Sequence, residues 1–145
     1  MEAKKIGQPV RIRLHSSILH PGQEIETHEL QTTGQLIEKA NAFYLKYDED
    51  HNGDNIQTTL KMSDGDALIM RSGAVTMRLP FDTKQNRFGE YGNGPATFAL
   101  QVKTNHLEFT GGQADGQFNV HYELHTEGSL LGTYKLNITY TEGTK

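Results

Sequence analysis

Cysteine and tryptophan are both absent from the 145 residues. Without cysteine the chain has no disulfide, no thiol nucleophile and no thiolate metal site. Long apolar runs are missing too. No window approaches the run of about 18 residues that a membrane helix needs, so no membrane partner is expected. The opening stretch MEAKKIGQPVRIRLH has no apolar h-region, so no signal peptide is expected and the protein is placed in the cytoplasm. Basic excess is lacking, with a net charge of −4, which argues against a nucleic-acid partner. Arg11 and Arg13 share one strand face, and that pair reads as a solvated outer wall. Helix signal is scarce. Only GQLIEKANAF, from Gly34 to Phe43, has a helical look, and it is short and poorly capped.

What the chain does have is alternation. Val10, Ile12 and Leu14 alternate with Arg11, Arg13 and His15. The same period of two runs through Val75, Met77, Leu79 and Phe81, then Phe98, Leu100 and Val102. It continues through Phe118, Val120, Tyr122 and Leu124 and ends with Tyr134, Leu136, Ile138 and Tyr140. Apolar-in, polar-out alternation repeated this often predicts antiparallel sheet with one buried face. Turn signals at regular spacing (Asn52-Gly53, Asp64-Gly65, Ser72-Gly73, Gly111-Gly112, Gly128) make it an all-β meander. No linker composition or repeat divides the chain, so residues 1–145 are expected to form one domain. A meander this long curls most simply into a barrel of about 8–10 strands, which removes its open edges.

DEDHNGDN, from Asp48 to Asn55, resembles the start of a calcium loop. Taking Asn52-Gly53 as the centre of a tight hairpin pairs His51 with Asp54, Tyr47 with Thr58, Leu45 with Leu60 and Phe43 with Met62. The dipeptide therefore has a structural reason to be there. The calcium reading also lacks its closing bidentate Glu, since Thr59 stands at that position. Asp48, Glu49, Asp50 and Asp54 remain at most a weak surface metal site. Ser72-Gly73 as a two-residue loop would pair Met70 with Val75 and Leu68 with Met77. A three-residue loop over 64–66 would pair Met62 with Leu68 and Leu60 with Met70. In this register Arg71 points outward opposite Ala74, where it caps the hairpin or holds a neighbouring carboxylate. Were a bulge to turn it inward, it would be a buried donor for an anionic ligand.

HYELH, from His121 to His125, would place two histidines for zinc on a helix. On a strand they stand about 13 Å apart and face water. No nucleophile elbow, phosphate loop or HExxH is present. Gly92 and Gly94 in EYGNGP precede no helix, and the serines have no visible base partner. No cofactor and no catalytic residue is expected.

AFYLKYDE, TTLKMSDGDALIMRSGAVTMRLPF, EYGNGPATFALQVKT and YKLNITYTEG together resemble the YwiB-like family of small bacterial proteins. Those segments cover well over half the chain. The resemblance implies a calycin-like, lipocalin-type antiparallel barrel in a cytoplasmic protein of Gram-positive bacteria, and it brings no catalytic residues with it. The Gly-x-Trp signature of secreted lipocalins is absent.

Three readings of function follow. The first is a binding module whose lumen takes a small apolar or amphipathic ligand against Tyr47, Met62, Met70, Met77, Tyr122, Tyr134 and Tyr140. The second is a packed barrel acting through its outer face, with Ile69 and Ala99 as outward apolar residues, or as a homodimer. The third is an enzyme with a site at the barrel mouth.

Overall fold

In a computed structural model, which describes residues 7–51, 53–93 and 95–143, the chain folds as ten antiparallel strands in one closed barrel. The strands are β1 (Gln8–Leu19), β2 (Glu26–Lys39), β3 (Ala42–His51), β4 (Asp54–Ser63) and β5 (Asp66–Gly73), then β6 (Thr76–Asp82), β7 (Arg87–Asn93), β8 (Ala96–Gly111), β9 (Asp115–Thr126) and β10 (Ser129–Glu142). Each strand pairs with the next, and β1 pairs with β10 to close the wall. No helix occurs among the described residues, and none is long and apolar enough to cross a membrane.

The segment with a helical look is strand, turn and strand. Leu36 pairs with Leu45 and Lys39 with Ala42 across a two-residue turn at Ala40-Asn41. Both turn residues have positive φ, 52° and 66°, the pairing that the twist of a tight hairpin demands. No glycine advertises this turn, so the spacing of Leu36, Ile37 and Ala40 mimicked a helix face.

Around 52–53 the register is the one the sequence predicts: Tyr47 opposes Thr58, Leu45 opposes Leu60 and Phe43 opposes Met62. Asn52 itself lies outside the described residues. Gly53 has φ 91°, and its N–H donates to Asp50 Oδ1 at 3.0 Å.

The next two ladders differ from expectation. Asp64-Gly65 is a two-residue loop, so Ser63 faces Asp66, Met62 faces Ala67 and Leu60 faces Ile69. Ser72-Gly73 is not a turn at all. Those residues extend the ladder with β4, where Gly73 opposes Ile56, and Arg71 pairs with Met77. Gly73, at φ 108°, lies so close to Asn55 O that a Cβ would not fit. A shift of one residue reverses every side chain of a strand. Ala67, Ile69 and Arg71 therefore point inward, whereas Leu68 and Met70 do not. Met70 is 37% exposed on the outer wall and belongs to no lumen site. Ile69 is core and not an outer patch residue. The cause is local: ALIM is apolar at every position, so its alternation has no phase and the turn alone decides which residues face in.

The lumen is filled at one end. Val10, Leu45, Leu60, Met62, Phe81, Phe118, Val120, Ile138 and Tyr140 pack there with essentially no exposure. Tyr140 donates its hydroxyl to Gly112 O at 2.7 Å, and its ring lies over Gly116, the cross-strand partner with no side chain to obstruct it. Pro80 lacks an N–H, and the β6–β7 ladder is confined to Thr76–Arg78. Beyond it Thr104 of β8 accepts the Asp82 N–H at 3.1 Å, so a side chain ties the end of β6 directly to β8.

Candidate functional site: the open half of the lumen

The other half of the barrel is a cavity of about 450 Å³, within the ordinary range for a small-molecule site. It opens at the end carrying the β1–β2, β3–β4, β5–β6 and β9–β10 connections. Leu14, Leu30, Ile69, Met77, Leu79 and Leu136 give it an apolar wall.

One row of cross-strand pairs runs up that wall. Gly34 opposes Tyr47, Tyr47 opposes Thr58, Thr58 opposes Arg71, and Arg71 opposes Met77. The polar residues of this row meet in the lumen. Glu49, one inward position beyond Tyr47, is 8% exposed and Arg71 is 26% exposed. Arg71 Nη2 donates to both Glu49 oxygens, at 2.8 and 2.5 Å, while its Nε reaches Thr58 Oγ1 at 3.4 Å. Arg71 is thus an inward residue without any bulge: the register of β5 turns it in. A buried ion pair is at best weakly stabilising, because desolvation offsets the attraction. Its presence in a small barrel therefore directs attention to function.

Aromatic rings form the facing wall. Tyr122 and Tyr134 stack at 4.9 Å with planes 7° apart. Phe81 packs under Tyr122 at 4.8 Å, and His20 meets Tyr134 edge-on at 6.5 Å near the mouth. Burial raises the pKa of Tyr47, with Glu49 adding to the rise and Arg71 and Thr58 opposing it. Burial likewise raises Tyr122, aided by Tyr134, and raises Tyr134 itself. All three are therefore neutral phenols, able to donate as well as accept.

Of the seven residues predicted to line a ligand site, Tyr47, Met77, Tyr122 and Tyr134 converge on this cavity. Met62 and Tyr140 lie in the filled half, where the Tyr140 pKa is pushed up to about 12 by burial and by Asp115 and Glu38. Met70 faces out. Sequence reasoning set Glu49 among the surface carboxylates Asp48, Asp50 and Asp54, whereas the structure buries it at 8% exposure in the lumen, on the parity of Leu45 and Tyr47.

Elsewhere the polar constellations are on the outer wall. Glu123 accepts from Asn105 Nδ2 at 2.9 Å and meets His125 Nε2 at 2.9 Å, and His121 packs against His106 at 5.1 Å. Among the described residues no three His, Asp or Glu side chains gather as a ligand set. Asp48 and Asp54 are exposed, Asp50 caps the turn, and Gly94 lies outside the described residues.

Known proteins agree with this architecture. The chain is 30% identical over 136 residues to the "Uncharacterized beta-barrel protein YwiB" of Bacillus subtilis (strain 168), covering 94% of this chain and 95% of that one. The crystal structure of the ywiB protein from Bacillus subtilis matches with a TM-score of 0.85 at 30% identity, covering 94% of this chain and 93% of that one. Residues 12–138, from the second inward residue of β1 to the last buried isoleucine of β10, match the family described as Domain of unknown function (DUF1934), and the chain belongs to that family of β-barrel proteins.

Proposed function

We propose that this barrel is a cytoplasmic, calycin-like binding module that holds one small, partly apolar ligand in the open half of its lumen. The single observation that supports this reading is the half-empty interior: about 450 Å³ left open above a tightly filled floor, with a charged pair and three phenols directed into it. A barrel whose interior served only stability would close that volume with side chains. The apolar body of the ligand rests on Leu14, Leu30, Ile69, Met77 and Leu136. Its polar end meets Tyr47, Glu49 and Arg71. Native mass spectrometry of gently purified protein tests this. A co-purified organic adduct that persists in chelator is expected, and it should vanish when Ile69→Trp fills the cavity. A bare chain mass from every host and growth condition would overturn the reading.

A second reading, a homodimer, has its own observation. Leu19, Ile25, Leu130 and Leu131 are exposed at the mouth end, and the register that pairs Ile18 with Glu26 brings Ile25 beside Leu19. A doubled mass in the same experiment, lost in Leu19→Lys, would favour this alternative.

A further inference from the structure

The way Arg71 holds Glu49 specifies the kind of head group the lumen accepts, an inference that rests on the ligand-binding reading above. A guanidinium usually meets a carboxylate fork to fork, with two nitrogens on two oxygens. Here both Glu49 oxygens converge on the single Nη2, and Nε turns to Thr58. Nη1 makes no hydrogen bond to the described residues, yet no buried side-chain nitrogen or oxygen among them lacks a partner. Nη1 is therefore open to the cavity, with a donor edge to offer. Each Glu49 oxygen still has a lone pair to spare. The pair thus presents a donor beside an acceptor, and its formal charges sum to zero.

Charge then selects among head groups. A carboxylate or phosphate drawn to Nη1 would sit against the Glu49 carboxylate. An ammonium drawn to Glu49 would sit against the guanidinium. Either ion would also shed its water on docking against a pair that offers no net compensation. A neutral group carrying an acceptor and an N–H side by side meets neither obstacle. Shape selects among bodies. The floor formed by Leu79, Tyr122 and the packed far half stops the cavity short of the length of the barrel, so a long acyl chain has nowhere to run. The parallel Tyr122–Tyr134 stack offers a flat wall, which suits a flat ring.

We propose that the lumen recognises an uncharged, flat aromatic ligand through a carboxamide- or lactam-like edge, its carbonyl accepting from Arg71 Nη1 and its N–H donating to Glu49, in preference to carboxylates and amines. The probes are naphthalene-2-carboxamide, naphthalene-2-carboxylate, 2-naphthylmethylammonium and 2-methylnaphthalene, titrated against the full chain by naphthyl fluorescence. The amide should bind at least tenfold tighter than the other three. Glu49→Gln should turn the preference toward the carboxylate, and Arg71→Gln toward the ammonium, with each variant shown to be folded by its thermal transition. A carboxylate that equals or beats the amide on the native protein overturns the proposal. So does 2-methylnaphthalene binding as tightly as the amide, although the ligand-binding cavity itself then stands. Failure of all four probes, hydrocarbon included, would bring down the cavity reading and this inference with it.

Discussion

Thr59 and Met70 stand directly opposite each other on the outer wall, partners across β4 and β5. That relationship fixes which half of β5 faces the lumen. The chain has no native cysteine, so Thr59→Cys with Met70→Cys should close a disulfide under mild oxidation, since cross-strand partners lie within disulfide reach. Leu60→Cys with Met70→Cys should not, because those side chains leave the wall on opposite faces. Mass spectrometry reads the loss of two hydrogens. A disulfide in the second pair and none in the first would restore the register in which Arg71 points outward.

Much of the fold is legible in the residues, and the exceptions are physically specific. The β3–β4 register follows from Asn-Gly because Phe43, Leu45 and Tyr47 alternate cleanly with Tyr44, Lys46 and Asp48. Alternation also identifies Met77, Tyr122 and Tyr134 as inward. The phase of β5 is hidden because Ala67, Leu68, Ile69 and Met70 are all apolar, so periodicity is silent and only the exact loop length decides. The site inherits that difficulty. Its anchor, Arg71, is inward by register alone, and Glu49 pairs with it through a fold that brings together residues 22 positions apart.

Ala40 offers a test whose sign separates the two readings of its segment. At φ 52° an alanine is held in the left-handed region, which is unfavourable by about 1–2 kcal/mol for a residue with a Cβ. Ala40→Gly should therefore stabilise the protein, by about 0.5–1 kcal/mol in urea unfolding, after the greater chain entropy of glycine is subtracted. On a helix the same change would destabilise it by about 1 kcal/mol. A loss would refute the tight turn.

Breaking the lumen pair from one side should be worse than removing it whole. Arg71→Met leaves Glu49 buried without its partner, and Glu49→Met leaves the guanidinium. Each single change should destabilise by about 1–3 kcal/mol, below the range for a fully buried pair because Arg71 retains some contact with solvent. The double variant should lose clearly less than the sum of the two, as interacting residues do. Strictly additive losses in denaturant melts would mean that the two charges do not depend on each other.

Stability should decline on acidification through two groups on the outer face of β9. Hydrogen bonds from Asn105 and then His125 hold the Glu123 carboxyl below its usual range, with Lys103 assisting. Its contribution is present above its unfolded pKa of about 4.5 and is lost as pH falls through the lower folded value. His121 is depressed by burial first, then by His106 and Lys135. The fold thus favours its neutral ring, and stability falls as pH drops below the unfolded value of about 6.5. His121→Gln should flatten the thermal stability profile between about pH 7 and pH 5, and Glu123→Gln should flatten the more acidic limb. If both variants kept the native slope, the outer face would have no part in acid sensitivity.

The ladder that joins Val10 to Glu142 differs in kind from the other nine, each of which links a strand to the next in the chain. Until the tenth strand has been made and laid in place, the sheet cannot close and the edge of the first strand away from β2 has no partner. During that interval the nascent chain carries two unpaired edges, the situation that invites strands of neighbouring nascent chains to pair with them. Slow translation of the last strand would prolong the exposure, and an interruption there would leave a product with nine strands made and no seam.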